Sequence, residues 1–247
     1  MTGLELARPR DISALFADSL GVYFQNARTF LALSAAVVVP VHLVVEGIGM
    51  EELTSGYDSS PSPVETAIPT LVSFLVVVPL INAICIHALH DVASGARPRA
   101  RAAIMAALDS FAPIFFAVVL AGIGIALGLL LLVLPGIYVA VRWYFVPQTV
   151  VIEEARGTGS LTRSADLVRG FWWRTFGLIV MANLAAILPA VVLIAPFGEI
   201  AESSDRAVWS LVGTIATETI TAPFVALFST LLYYDLRARK RAAATPA

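Results

Sequence analysis

The chain has 247 residues, 58% of them hydrophobic and 14% charged, with a net charge of −2 and a mean hydropathy of +0.84. Soluble domains carry about 25% charge, so this composition excludes a water-soluble globule and makes lipid the solvent. The near-neutral balance also excludes a basic nucleic-acid surface. The single Cys85 excludes an internal disulfide, and the single Lys240 excludes a phosphate-loop or Schiff-base lysine in the body of the chain.

The first thirty residues carry acids and arginines and lack an early apolar run, so no cleavable signal peptide is read there. Asp11 is placed to cap a helix whose Ile12, Leu15, Phe16, Leu20, Tyr23 and Phe24 share one face. Residues 30–45 form the first apolar span. The stretch 46–66 holds Glu46, Glu51, Glu52, Asp58 and Glu65 with no basic residue. Its spacing fits no calcium motif, and it reads as a solvated loop. Residues 67–90 form the second span and end in HALHD, where His87, His90 and Asp91 offer three metal ligands and no fourth. No metal or other cofactor is assigned there, because an unclosed ligand set is weak support for a site.

Pro98 opens a second amphipathic segment with Ile104, Leu108 and Phe111 at helical spacing. Residues 113–134 and 137–152 are the third and fourth spans, parted only by Pro135-Gly136. Proline resists continuing a helix and glycine accepts the left-handed turn, so LPGIY (134–138) is predicted to be a hairpin tip. One helix over 113–152 would reach about 60 Å, twice a bilayer core. Ser160 then caps a third amphipathic helix, with Leu161, Ala165, Val168 and Trp172 opposite Arg163, Asp166 and Arg169. Residues 175–197 and 208–234 are the last two spans.

The predicted fold is therefore all-α: six transmembrane helices in three hairpins, each led by an interfacial amphipathic helix, in one domain over 1–241, with a disordered tail over 242–247. Fourteen of the sixteen basic residues fall on one side of this arrangement. The positive-inside rule makes that side cytoplasmic, with both termini inside a plasma-membrane protein. The arginines on the amphipathic helices face anionic lipid headgroups, the expected partners. A weak internal repeat at an offset of 149 aligns Gly21 with Gly170, Tyr23-Phe24 with Trp172-Trp173, and Pro40 with Pro189. Trp172, Trp173, Tyr233 and Tyr234 read as an aromatic belt at the cytoplasmic interface.

Gly124 and Gly128 form a small-residue face for helix packing, within the bundle or between two copies of the chain. Arg142 lies inside the fourth span and is the costliest residue to place. Three readings stand. It pairs with Glu218 of the sixth span, with Thr214, Thr221, Asn183 and Asn82 completing a polar network. It snorkels to the outer interface beside Trp143 and Tyr144. Or it lines a transport or ligand site. No HExxH, GxSxG or Walker pattern is present, and no catalytic residues are assigned.

Residues 134–179 resemble the membrane domain found ahead of some bacterial glycerophosphodiester phosphodiesterases, and its stand-alone relatives. Pro135-Gly136, Glu153, Arg163-Ser164, Gly170, Trp173-Arg174 and the ending YYDLRARK (233–240) carry the likeness. The resemblance implies a polytopic membrane domain. It implies no catalysis, because the phosphodiesterase needs a His-Arg pair, and His42, His87 and His90 precede Leu43, Ala88 and Asp91. The function expected is a non-catalytic membrane protein acting through lipid or protein partners, an unknown protein or a second copy among them. The alternative is a small-molecule or lipid transporter.

Overall fold

A computed structural model describes residues 5–47, 56, 58 and 62–244, so most of the acidic stretch lies outside the described residues. Among the described residues every regular element is helical: α1 (Ile12–Gln25), α2 (Ala27–Gly47) and α3 (Pro63–Val72), then a π-helical turn (Ser73–Val77) leading into α4 (Val78–Ala93). α5 (Ala100–Leu131), α6 (Val133–Arg142), α7 (Val146–Glu153), α8 (Thr158–Val168), α9 (Trp172–Ser204) and α10 (Val208–Ala244) follow.

Five helical stretches are long and apolar enough to cross a membrane: Ala27–Val45, Ala67–Ala93, Ala100–Leu131, Trp172–Ser204 and Val208–Ala244. Their outer surfaces are apolar. Leu184, Ile187, Leu188, Val191 and Val192 stand exposed along α9. In water such a patch drives aggregation, and in hydrocarbon it is ordinary.

α10 is the centre of the bundle, packed by α1, α2, α4, α8 and α9. Phe224, Leu227, Phe228, Leu231, Leu232, Tyr233 and Leu236 are all buried along it. Around residues 223–236 the helix is buried on nearly every side, because its neighbours enclose it there. Three segments converge on its last turns. The Tyr234 hydroxyl meets His90 at the end of α4, while Asp235 binds Arg174 at the start of α9 and the Arg10 amide before α1. The chain leaves that end of the bundle along α5 and regains it through α6, α7 and α8.

The amphipathic segments differ from the sequence-based expectation. α1 packs into the bundle, with the Phe16 ring 4.8 Å from that of Phe228 and the Tyr23 hydroxyl donating to the Ile220 carbonyl at 2.9 Å. The second segment is no separate helix, since α5 runs unbroken through Pro113. One proline removes one backbone bond, and a long apolar helix tolerates that in lipid. α8 does split its faces, burying Leu161, Ala165 and Val168 while the Arg163 and Arg169 side chains are 69% and 72% exposed. Its buried face meets protein, chiefly α5, α6, α7 and α10.

The tip between α5 and α6 comes earlier than predicted, at Leu132, which is extended (φ −166°, ψ 149°). Pro135 falls in the first turn of α6, where its missing N–H costs nothing. Gly136 is not left-handed; among the described residues the positive-φ glycines are Gly95, Gly157 and Gly170. What Gly136 provides is close approach. A Cβ there would lie 2.4 Å from Leu129 Cδ2, and one on Gly128 would lie 3.0 Å from Gly136 Cα. A Cβ on Gly124 would sit 2.3 Å from the Trp143 ring. The small-residue face of α5 thus receives α6 of the same chain.

The proposed repeat also divides here. Gly170 (φ +87°) parts α8 from α9, whereas Gly21 lies inside α1. α10 continues to Ala244, past the boundary predicted at 241, and residues 245–247 lie outside the described residues.

Candidate functional site

The fourth span, predicted as one helix over 137–152, is two short helices meeting at Trp143–Phe145. Pro147 explains the break. It has no N–H for the Trp143 carbonyl, and its ring disfavours helical backbone at the residue before it. A break frees backbone groups that apolar surroundings cannot satisfy, so it persists there only against protein or a cavity. α8 supplies the protein. The buried Ser164 hydroxyl donates to the Arg142 carbonyl at 2.8 Å and accepts the Phe145 amide at 3.1 Å. One side chain thereby closes both sides of the break. Lower down, the Thr149 hydroxyl reaches the Ser160 carbonyl at 3.2 Å, pinning α7 to the start of α8.

Trp143 stands at the break with a cavity on either side. The larger, about 570 Å³, lies between α5, α6 and α8: Leu120, Ile123, Leu127 and Leu161 give it apolar walls, with Arg142, Arg169, Asp166, Thr158 and Thr162 at its polar side. The Arg142 guanidinium stacks over the Tyr138 ring at 5.6 Å, and no carboxylate among the described residues pairs with it. Arg169 holds Asp166 at 2.8 Å. The second cavity, about 340 Å³, lies between the π-helical turn, α4, α5, α7, α9 and α10, and Asn82, Gln148, Asn183 and Ser229 are its polar residues.

The predicted network is divided among separate places. Glu218 does not pair with Arg142. It accepts from the Ser73 hydroxyl at 3.2 Å and pairs with His42 Nε2 at 2.9 Å. Arg142 is held elsewhere, because α6 packs on α5, α8 and α9. Thr214 and Thr221 turn back to the Ser210 and Thr217 carbonyls of their own helix. Asn82 and Asn183 face the smaller cavity, each with its amide nitrogen bonded one turn back, to Val78 and Ile179. His42 was missed. It is the single ionisable side chain in the span 30–45, and Glu218 is the single acidic or basic residue in 208–234. That pairing of lone polar residues was the available signal.

The separation has a measurable consequence. Arg142→Gln and Glu218→Gln are expected to shift thermal stability additively, within about 0.5 kcal/mol. His42→Leu and Glu218→Gln together should cost less than the sum of the two. A double-mutant cycle by thermal melting checks both statements.

One family matches residues 71–236, described as a domain of unknown function (DUF7847). The chain belongs to that family. No curated protein and no solved structure matches it, and nothing in the family match links it to the glycerophosphodiester phosphodiesterases. The matched DUF7847 segment takes in the π-helical turn, the α6–α7 break, both cavities and Asp235, and leaves out α1 and α2.

Outside the match lies half of a clasp that ties the family segment to the N-terminal residues. Asp235 is fully buried. It accepts the Arg10 amide at 2.6 Å, Arg174 at 3.1 Å and Arg239 at 3.0 Å. Arg174 and Arg239 also donate to the Arg10 carbonyl, at 2.8 and 2.6 Å. The Arg10 side chain, itself buried, holds Asp18 at 2.8 Å. Sequence reading placed these arginines at the cytoplasmic surface as topology signals and gave Asp235 no role. Tyr233 changes role likewise: it is buried and donates to Glu153, so it is not a belt residue, while the half-buried Tyr234 meets His90. Trp173 is 78% exposed, as a belt residue would be.

Burial alone would raise the Asp18 carboxyl, but hydrogen bonds from Arg10 and Arg8 outweigh it and hold the group below its ordinary 3.8. A depressed folded pKa adds stability that is complete above the unfolded value and lost as pH falls through the folded one. Thermal stability is thus expected to drop below about pH 4, and Asp18→Asn to flatten that part of the profile. An unchanged acid limb in Asp18→Asn would show that the clasp does not titrate there.

Proposed function

We propose that this protein is a non-catalytic, six-pass membrane protein that binds an anionic phospholipid in the cleft between α5, α6 and α8. The observation that carries the proposal is Arg142: a guanidinium without a carboxylate partner, in an apolar-walled cleft that also contains the Arg169–Asp166 pair. A charge at such a site is costly unless paired, and basic pockets between membrane helices suit lipid headgroups. Leu120, Ile123 and Leu127 run along α5 beside it, a wall suited to an acyl chain. The headgroup phosphate sits against Arg142, and Arg169 exchanges part of its bond with Asp166 for the same anion.

The sixth passage is the α6–α7 pair, and the plasma membrane is its location. The convergence of the N-terminal residues, the end of α4, the start of α9 and the end of α10 supports an even number of passages between those points, with the arginine-rich end cytoplasmic. Reporter fusions after Thr66 and Ser203 should read outside, and those after Arg101, Gly159 and Arg241 inside. An outside signal at Gly159 overturns the sixth passage.

The lipid reading is tested in nanodiscs of phosphatidylcholine with and without phosphatidylglycerol. The anionic lipid should raise the melting temperature and be retained in native mass spectra, and Arg142→Gln should remove both effects. Equal retention of the two lipids by wild type overturns the proposal. A second reading, a lipid or small-molecule carrier, is favoured by the broken helix between two cavities, a feature of transporters. It predicts protein-dependent movement of a labelled lipid or solute across proteoliposome membranes.

A further inference from the structure

The smaller cavity lies on the other side of Trp143 from the cleft of Arg142, and its chemistry is different. No charged side chain lines it, and its walls are Phe74, Val78, Val118, Ile125 and Val225, with Asn82, Gln148, Asn183 and Ser229 among them and Tyr144 beside Trp143. The hydrogen bonds there fix one another's direction. Asn82 Nδ2 donates to the Val78 carbonyl at 2.9 Å, so its Oδ1 faces Gln148. Gln148 must then present its nitrogen, which donates to Asn82 Oδ1 at 3.1 Å and Ser229 Oγ at 2.9 Å. Turning the Gln148 amide over would set two oxygens against each other. Its Oε1 is left buried and without a partner, on a residue only 1% exposed.

A buried acceptor with no donor is costly, and native structures rarely keep one without a reason. Asn183 adds a second oxygen to the lining, because its nitrogen is likewise spent on its own helix, on the Ile179 carbonyl. The capacity left on these amide side chains is therefore acceptor capacity, beside the Tyr144 hydroxyl and the Trp143 indole on the same lining. At about 340 Å³ the space falls at the small end of ligand sites. Phe74 and Val78, each 44% exposed, form part of the wall on the lipid-facing surface. A ligand that reaches the cavity from the bilayer, with no charged residue to meet it, is neutral and largely apolar. The π-helical turn and the broken α6–α7 helix both border the space, and such interruptions of regular helix mark binding sites in membrane proteins.

We infer that this cavity is a second binding site, for a neutral amphiphile of the long-chain alcohol or acylglycerol class whose hydroxyl donates to Gln148 Oε1. The site goes beyond the anionic-lipid cleft and does not depend on it.

The full chain in phosphatidylcholine nanodiscs is labelled with a photoreactive long-chain alcohol and, separately, with its methyl ether, which matches its apolar body and lacks the donor. The alcohol should label peptides containing Phe74 and Trp143 on the order of tenfold more than the ether, the factor that one buried unpaired acceptor conveys. Gln148→Leu should abolish the preference, and Ala140→Phe, which fills the cavity from half-exposed α6, should abolish the labelling. Arg142→Gln should leave alcohol labelling unchanged, which separates this site from the anionic-lipid cleft. Equal labelling of wild type by alcohol and ether overturns the inference. So does a competition series in which excess unlabelled alcohol fails to protect the cavity peptides, the result expected if only water fills the space. The alcohol–ether comparison uses wild type alone, so it decides the matter even where a variant does not fold.

Discussion

Asp235→Asn is expected to destabilise the protein more than any other single change of similar size. The carboxylate is fully buried and takes the Arg10 amide, Arg174 and Arg239 together. Removing its charge leaves two guanidinium groups facing the Arg10 carbonyl without their common counter-ion. Breaking one partner out of a buried ion pair typically costs about 3–5 kcal/mol. Arg174 and Arg239 keep 24% and 28% side-chain exposure, which places the loss toward the lower end of that range. In a chain of this size that is a fall in melting temperature on the order of 10 °C. The N-terminal residues should also lose protection from proteolysis, since the clasp is what ties Arg10 to α10. Arg174→Gln combined with Asp235→Asn should recover part of the stability. A melting temperature within a degree or two of wild type would show that the clasp contributes nothing net.

Ser164→Ala carries the second large effect. The hydroxyl serves the Arg142 carbonyl and the Phe145 amide at once, and both lie where the backbone ladder is interrupted. Leaving a buried backbone group unpaired costs about 1–3 kcal/mol, and here two are left by one substitution. Amide hydrogen exchange at Phe145 should accelerate while that of α9 and α10 changes little. Ser164→Cys, of near-equal volume and weaker bonding capacity, should fall between alanine and wild type. Unaltered exchange at Phe145 in Ser164→Ala would mean that the break is stabilised by packing alone.

Both residues were quoted in the sequence only as parts of a resemblance, and the reason is physical. A buried serine and a buried aspartate draw their roles from groups far along the chain. The Asp235 carboxylate acts on an amide 225 positions away, and the Ser164 hydroxyl acts on backbone atoms freed by Pro147, whose effect depends on what packs against the break. Pro147 itself was legible as a proline inside an apolar span. Whether it would kink one helix or part it into two depended on whether a neighbour could satisfy the freed carbonyl and amide.

Composition and hydropathy pattern by themselves determined the solvent, the helical class and the approximate position of the long apolar helices. Those properties follow from local physics: no other secondary structure of an open chain satisfies its own backbone in hydrocarbon. Close packing at Gly124 and Gly128 was equally local, since only small residues let backbones approach. Tertiary structure decided which polar groups meet. Arg142 and Glu218 were the charged residues of the fourth and sixth predicted spans, but helix rotation and the choice of neighbours set contact. α6 packs on α5, α8 and α9, while α2 and the π-helical turn bring His42 and Ser73 to Glu218. Depth is written in the spacing of a sequence; azimuth is fixed only when the whole bundle closes.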